Sequence, residues 1–172
     1  MPEREIVIYG DPVLQKKAEP VTIVKSDVIR LVEDMQATMY ASHGVGLAAP
    51  QLGASVRVIV LDTSAGRDAT QRLVLLNPEL TEMSSEEVAE EGCLSIPEFV
   101  TSVQRATSVT VVGQDLNGKS IEVQAEGLAA RAIQHEIDHI NGRLIVDFLN
   151  PLQRDLFERR FREQQSKKKV FF

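Results

Sequence analysis

Between residues 26 and 41 the apolar positions Val28, Leu31, Val32, Met35 and Met39 recur at intervals of three and four behind Ser26-Asp27, which predicts an amphipathic helix over 26–41. The pattern then changes. SVRVIVLD (55–62) and RLVLLN (72–77) are rich in β-branched and aliphatic residues and predict strands, the second stopped by Asn77-Pro78. TSVTVVGQDL (107–116) and KSIEVQAE (119–126) flank Asn117-Gly118, whose tolerance of positive φ predicts a two-residue hairpin turn. A helical pattern returns from about Gly127 to Asn141-Gly142, and another begins at Asn150-Pro151, where Asn can cap and Pro suits the first turn. Upstream, Pro12 and Pro20 keep the opening segment extended or irregular after the short apolar run IVIY (6–9). Paired strands followed by helices imply an α+β fold, with antiparallel sheets around a central helix and a further helix at the C-terminal end.

Placed at about 100° per residue, residues 128–141 separate into faces. Leu128, Ala132, His135 and His139 share one; Ala129, Ile133, Ile137 and Ile140 cover the adjoining arc; Arg131, Gln134 and Asp138 lie opposite. Glu136 falls inside the apolar arc, where an unpaired carboxylate is costly or takes up a proton. A helix built only for packing would not place it there. HEIDH (135–139) therefore reads as chemistry: two imidazoles at i and i+4 can reach one ion, and the glutamate beside them can take a proton from its water.

Such a site is one ligand short, and three residues compete to complete it. Glu158 is disfavoured, because Leu152, Leu156, Phe157 and Phe161 form the apolar face of its helix and leave it among arginines, pointing into solvent. His43, beside Gly44-Val45-Gly46, is a loop histidine and the weaker alternative. Cys93 lies in EEGCLSIPEF (90–99), a locally extended setting, and a thiolate with two imidazoles suits Zn²⁺ or Fe²⁺ while leaving a fourth position for water. Cys93 is preferred. The same residues would also serve a cysteine hydrolase with His135 or His139 as base, but that reading explains only one histidine. GVGLAA (44–49) matches the dinucleotide pattern G-x-G-x-x-A formally; a helix rather than a strand precedes it, and Pro50 blocks the helix that should follow.

Charge and composition narrow the class. The chain has 172 residues, no internal repeat and no linker-like segment, so 1–172 is expected to be one domain with a basic helix or tail at about 150–172. Residues 1–149 hold 12 Lys and Arg against 22 Asp and Glu, whereas 150–172 hold seven against three, giving a body of −10 and a tail of +4. An acidic body argues against a dedicated nucleic-acid-binding domain, although the basic end could touch phosphate. A solvated helix is the simpler account of that end. No apolar run approaches the roughly 20 residues that span a bilayer, and the opening residues do not read as a secretory segment, so a soluble, cytoplasmic protein without membrane partners is expected. Cys93 is the sole cysteine and cannot close an intramolecular disulfide.

GVGLAAPQ (44–51), EGCLS (91–95) and QHEIDH (134–139), in this order and at these separations, closely resemble the three signature motifs of peptide deformylases. The likeness extends from about Val7 to about Phe157 and takes in DPVL (11–14), NPEL (77–80) and NGRL (141–144). It implies antiparallel sheets around a central helix bearing the two histidines, and hydrolytic removal of formate from the N-formylmethionine of nascent bacterial or organellar polypeptides. By position, Cys93, His135 and His139 match the metal ligands and Glu136 the general acid/base. Gln51 and the Leu94 N–H match the donors to the formyl oxygen, and the resemblance implies that hydroxide on the ion attacks the formyl carbon. Val45, Gly46 and Gly92 match backbone that pairs with the peptide. The resemblance also implies Fe²⁺ as the native ion, with Zn²⁺, Ni²⁺ or Co²⁺ as substitutes, and suits a ribosome contact through residues 150–172. An apolar pocket for the methionine side chain draws on Val45, Leu128 and Ala132, with Arg131 at its rim. Val100 stands where certain relatives carry an arginine near the peptide's path. The competing classes are a zincin-type peptidase, which would cleave internal bonds, and a binding module whose ion is structural and fully ligated by protein.

Overall fold

In the computed structural model, which describes residues 3–169, helix α1 occupies Ser26–Ala41, the bounds the periodicity predicts. Its start is secured not by the Ser26 hydroxyl but by Asp27, whose Oδ1 accepts from the Val28 N–H at 2.9 Å. Five strands follow: β1 (Gly46–Ala48), β2 (Val58–Leu61), β3 (Leu73–Cys93), β4 (Ile96–Gln114) and β5 (Ser120–Glu126). They form one antiparallel sheet in chain order, a continuous meander rather than several separate sheets. Helix α2 (Gly127–Ile140) carries HEIDH, and α3 (Pro151–Lys169) closes the described chain.

The strand β2 shows how the sheet divides the interior. Ile59 and Leu61 pack with Ile133, Ile137 and Ile140 of α2, while Val58 and Val60 pack with Met35 and Met39 of α1. Alternate side chains of a strand point to opposite faces, so a strand covered on both sides must be apolar throughout. That explains the unbroken VIVL. A third cluster joins Leu14, Ile96, Val103 and residues 144–146 to Phe157 of α3. Phe157 meets Tyr9 and Phe99 at centroid distances of 5.1 and 4.6 Å.

Two expectations about strands need correction. Asn77-Pro78 does not stop β3; the strand passes through a register shift between Leu76 and Glu79 and runs on to Cys93. Asn77, at φ +52°, leaves the ladder and donates to the Val21 carbonyl and accepts from the Val21 N–H, both at 2.8 Å. Beyond it, residues 81–88 are exposed on both faces, so no apolar alternation marks them; the ladder to β4 holds them extended. The β4–β5 turn is also not a two-residue turn. Asp115 closes it by donating its N–H to the Lys119 carbonyl at 2.9 Å, leaving residues 116–118 as a three-residue loop in which Gly118 alone takes positive φ. Asp115 Oδ1 accepts from the N–H groups of Asn117 and Lys119, and that side-chain clasp favours the longer loop.

At α3 the Asn150 Oδ1 accepts from Gln153 N–H at 2.9 Å, and Gln153 Oε1 accepts from Asn150 N–H at 3.1 Å, a reciprocal cap. The predicted apolar face is only half covered. Phe157 is buried, whereas Leu152 and Leu156 are 69% and 46% exposed, because the third core reaches α3 along Phe157 and Phe161 alone.

Candidate metal centre

The β3–β4 connection, the turn after β1 and one face of α2 meet around Cys93, His135 and His139. Cys93 ends β3 and pairs with Ile96 across a turn of two residues, Leu94 and Ser95. Tyr9 N–H donates to the Ser95 carbonyl at 2.8 Å and ties the opening segment to this turn. The Cys93 Sγ lies 3.3 Å from His139 Nε2, which lies 3.2 Å from His135 Nε2. All three ligand atoms fall within 4.8 Å of one another, the one such cluster among the described residues. Tetrahedral bonds of about 2.0–2.1 Å to nitrogen and 2.3 Å to sulfur set donor atoms about 3.3–3.6 Å apart, so this donor set fits one Zn²⁺-sized cation. His43 and Glu158 stand outside the cluster. His43 is exposed at the mouth of the neighbouring cavity. Glu158 is not simply solvated: its Oε1 accepts from the Tyr9 hydroxyl at 2.5 Å and pairs with Arg154 at 3.5 Å, fastening α3 to the opening segment.

The surroundings of each ligand follow from the same elements. His135 Nδ1 faces Glu91 Oε2 at 2.9 Å, which leaves its Nε2 directed at the thiol and the second imidazole. Burial would raise the Glu91 carboxyl, but hydrogen bonds from His135 and Arg105 outweigh it and hold the group at about 2. Arg105 grips Glu91 twice, at 2.9 and 3.0 Å, and Asp138 at 2.6 Å; Arg131 adds a fourth bond to Glu91 at 2.8 Å. Burial keeps His139 well below its ordinary value, in the neutral state that can ligate. On the far side of α2, Gln134 accepts from the Ala106 N–H and donates to the Ala106 carbonyl, fixing the helix against β4.

Glu136 is 4% exposed, and its Oε2 has no hydrogen-bond partner among the described residues. Burial pushes its carboxyl up to about 7. It fits because residue 46 is glycine: a Cβ there would lie 2.6 Å from Glu136 Oε1. Gln51, in the short turn Ala49–Leu52, accepts from the Ala48 N–H at 2.9 Å and donates to Ser95 Oγ at 3.2 Å, with Cys93 Sγ 3.8 Å away.

A cavity of about 730 Å³ opens beside these groups. Every site residue singled out from the sequence lines it except His139, which sits behind the wall at 1% exposure. Leu128 is 55% exposed at its rim, Ala132 is buried, and Arg131 is held by Glu91 and by the carbonyls of Val103 and Glu87. The acidic clasp Glu91–Arg105–Asp138 has no place in the sequence-based site. EGCLS contains Glu91, but nothing in the spacing shows that β4 will bring Arg105 across from it.

Fold and site together define an α+β protein with a Cys/His/His cluster beside an open cavity. The polypeptide deformylase family model matches residues 3–155. A peptide deformylase of Thermodesulfovibrio yellowstonii is 48% identical over 161 residues, covering 94% of this chain and 98% of the relative. The crystal structure of a peptide deformylase from Legionella pneumophila superposes with a TM-score of 0.88 at 42% identity, covering 96% and 98% of the two chains. That from Thermus thermophilus gives a TM-score of 0.84 at 39% identity over 95% and 96%. The chain belongs to the polypeptide deformylase family.

Proposed function

We propose that this protein hydrolyses the formyl group from the N-formylmethionine of nascent polypeptides, using a single divalent cation held by Cys93, His135 and His139. One observation carries the reading: a buried carboxyl, Glu136, lines an open cavity with Cys93 and His135, on which His139 converges from behind the wall. Bound there, the cation, natively Fe²⁺ with Zn²⁺, Ni²⁺ or Co²⁺ as substitutes, would polarise the formyl carbonyl and lower the pKa of water. In the net reaction water's oxygen joins the formyl carbon, the C–N bond breaks, and formate and a free methionine amine leave.

The chain's own groups divide the rest of the work. Glu136, with a proton affinity raised to about 7, takes the proton released by water and passes it to the departing nitrogen. Gln51 and the Leu94 N–H donate to the developing oxyanion; Ala48 and Ser95 hold the Gln51 amide in place beforehand. Val45, Gly46 and Gly92 offer backbone to the extended peptide, a mode that reads little sequence beyond methionine. Val45, Ala132 and Leu128 frame the methionine side chain, and the exposed Leu128 is covered when it binds. A formyl group carries hydrogen where other acyl groups carry carbon, so a tight fit at this end excludes acetylated chains.

Formate release from formyl-Met-peptide and from its acetylated counterpart, by anaerobically purified protein with its metal assayed, tests the reading; release from neither rejects it. Glu136→Ala should keep the metal and lose turnover, whereas Cys93→Ala should lose the metal. The whole chain serves as one catalytic domain in the cytoplasm or an organelle, and its basic segment 150–172 docks near the ribosomal exit; residues 170–172 lie outside the described residues. No helix among the described residues is long and apolar enough to cross a membrane.

A further inference from the structure

The ladder between β3 and β4 skips three residues. Gly92 pairs with Val100 and Cys93 with Ile96, so Pro97, Glu98 and Phe99 are looped out, with Glu98 at φ +60°. This bulge forms part of the wall of the 730 Å³ cavity, and its other side faces α3 across a second groove of about 350 Å³. The same three residues line both spaces. The groove's floor is apolar, with Phe99, Leu149, Phe157 and Phe161, and Leu156 stands beside it at 46% exposure. Arg160 lines it too and makes no ion pair among the described residues. Bulges commonly re-aim chains and side chains next to active sites. In this one Phe99 packs on Phe157 of α3 at 4.6 Å, and the groove runs beside that contact.

We propose that the groove between the 97–99 bulge and α3 binds the downstream part of the substrate itself, taking a bulky apolar side chain of the nascent polypeptide beyond the residues that pair in the cavity. The inference rests on the deformylase reading, which places the substrate's N-terminus in the larger cavity. The occupant follows from continuity: an extended chain leaving that cavity over the bulge meets this groove next, and an aromatic or aliphatic side chain matches its floor. Binding energy from such a remote segment raises kcat/KM for long chains while leaving the shortest substrates unaffected. The enzyme would then favour chains long enough to reach the groove.

The test uses the metal-loaded enzyme and formyl-Met peptides. One is formyl-Met-Ala; the others are serine-rich and about eight residues long, roughly 26–29 Å when extended, with a single Phe moved through successive positions. One Phe position should raise kcat/KM about tenfold over the all-serine peptide, the lower end of what an apolar pocket provides. Leu156→Glu should abolish that gain and leave formyl-Met-Ala turnover unchanged, and Leu156→Met should restore it. Equal kcat/KM at every Phe position, or a gain that survives Leu156→Glu, overturns the groove while leaving deformylation intact. Formate from no peptide rejects the underlying function and the groove together. Concentration-dependent self-association that Leu156→Glu removes would assign the surface to a second copy of the chain and overturn the proposal equally.

Discussion

A methyl group added at position 46 would lie 2.6 Å from Glu136 Oε1 and 3.0 Å from its Cγ, in a place where both residues are buried. Both atoms belong to the Glu136 side chain, so that side chain must shift to make room. On the proposed mechanism, Gly46→Ala should therefore bind metal normally in elemental analysis yet lose most of its kcat, because Glu136 is displaced while Cys93, His135 and His139 are untouched. Gln51→Leu keeps the volume and removes the amide; a reduction of about 10²–10³ in kcat is expected, the usual effect of losing one oxyanion donor. A Gln51→Leu enzyme with near-normal kcat would remove that residue from the mechanism. HEIDH and the glutamate inside its apolar arc were legible residue by residue. Glu91 was not, because its role depends on what β4 brings to it.

At the scale of elements, α2 is held by polar contacts as much as by its isoleucines. Arg105 from β4 bridges Glu91 of β3 and Asp138 of α2, and its side chain is 5% exposed. Removing one member of a buried charge cluster leaves the others unpaired, at about 3–5 kcal/mol. Arg105→Met should thus lower thermal stability sharply. In variants that still fold, such as Arg105→Lys, metal affinity should fall about 10–100-fold, since the Glu91 carboxylate beside His135 has lost its paired bonds to Arg105. Metal release to a chelator, followed apart from turnover, measures this. Helices α1 and α2 were legible to the residue or nearly so, since each buries one face against a core, whereas for α3 only the start was. The outer part of β3 was not, because a ladder exposed on both faces carries no hydrophobic period, and neither was the Asp115 clasp that lengthens the β4–β5 turn.

Across the whole molecule, part of the acid stability should trace to Asp62, which is fully buried after β2. Burial alone would raise its carboxyl, but hydrogen bonds from Ser64, Tyr40 and Gly66 outweigh that and lower it. A carboxyl lower in the folded than in the unfolded state stabilises above the unfolded value of about 3.9, and that contribution fades as pH falls through the folded value. Asp62→Ala should reduce Tm at pH 7, and the gap to the unaltered protein should narrow below about pH 4. Thermal unfolding across this pH range checks the sign. The tail presents a separate whole-molecule question. Because Phe157 is core, truncating α3 would confound folding with docking; Arg162→Glu with Lys167→Glu instead alters the exposed charge alone. That pair should weaken pelleting with ribosomes in a salt-dependent way, and unchanged pelleting would remove the basic segment from any docking role.

The order and spacing of the motifs, the two main helices and the candidate Cys/His/His set were all present in the linear sequence, because helical periodicity and imidazole spacing are local properties read within a few turns. The contacts that build the candidate site join residues far apart in the chain: Glu91 with Arg105 and His135, and Gly46 with Glu136. Their worth depends on burial and on donor geometry, and neither exists until the sheet has closed over α2.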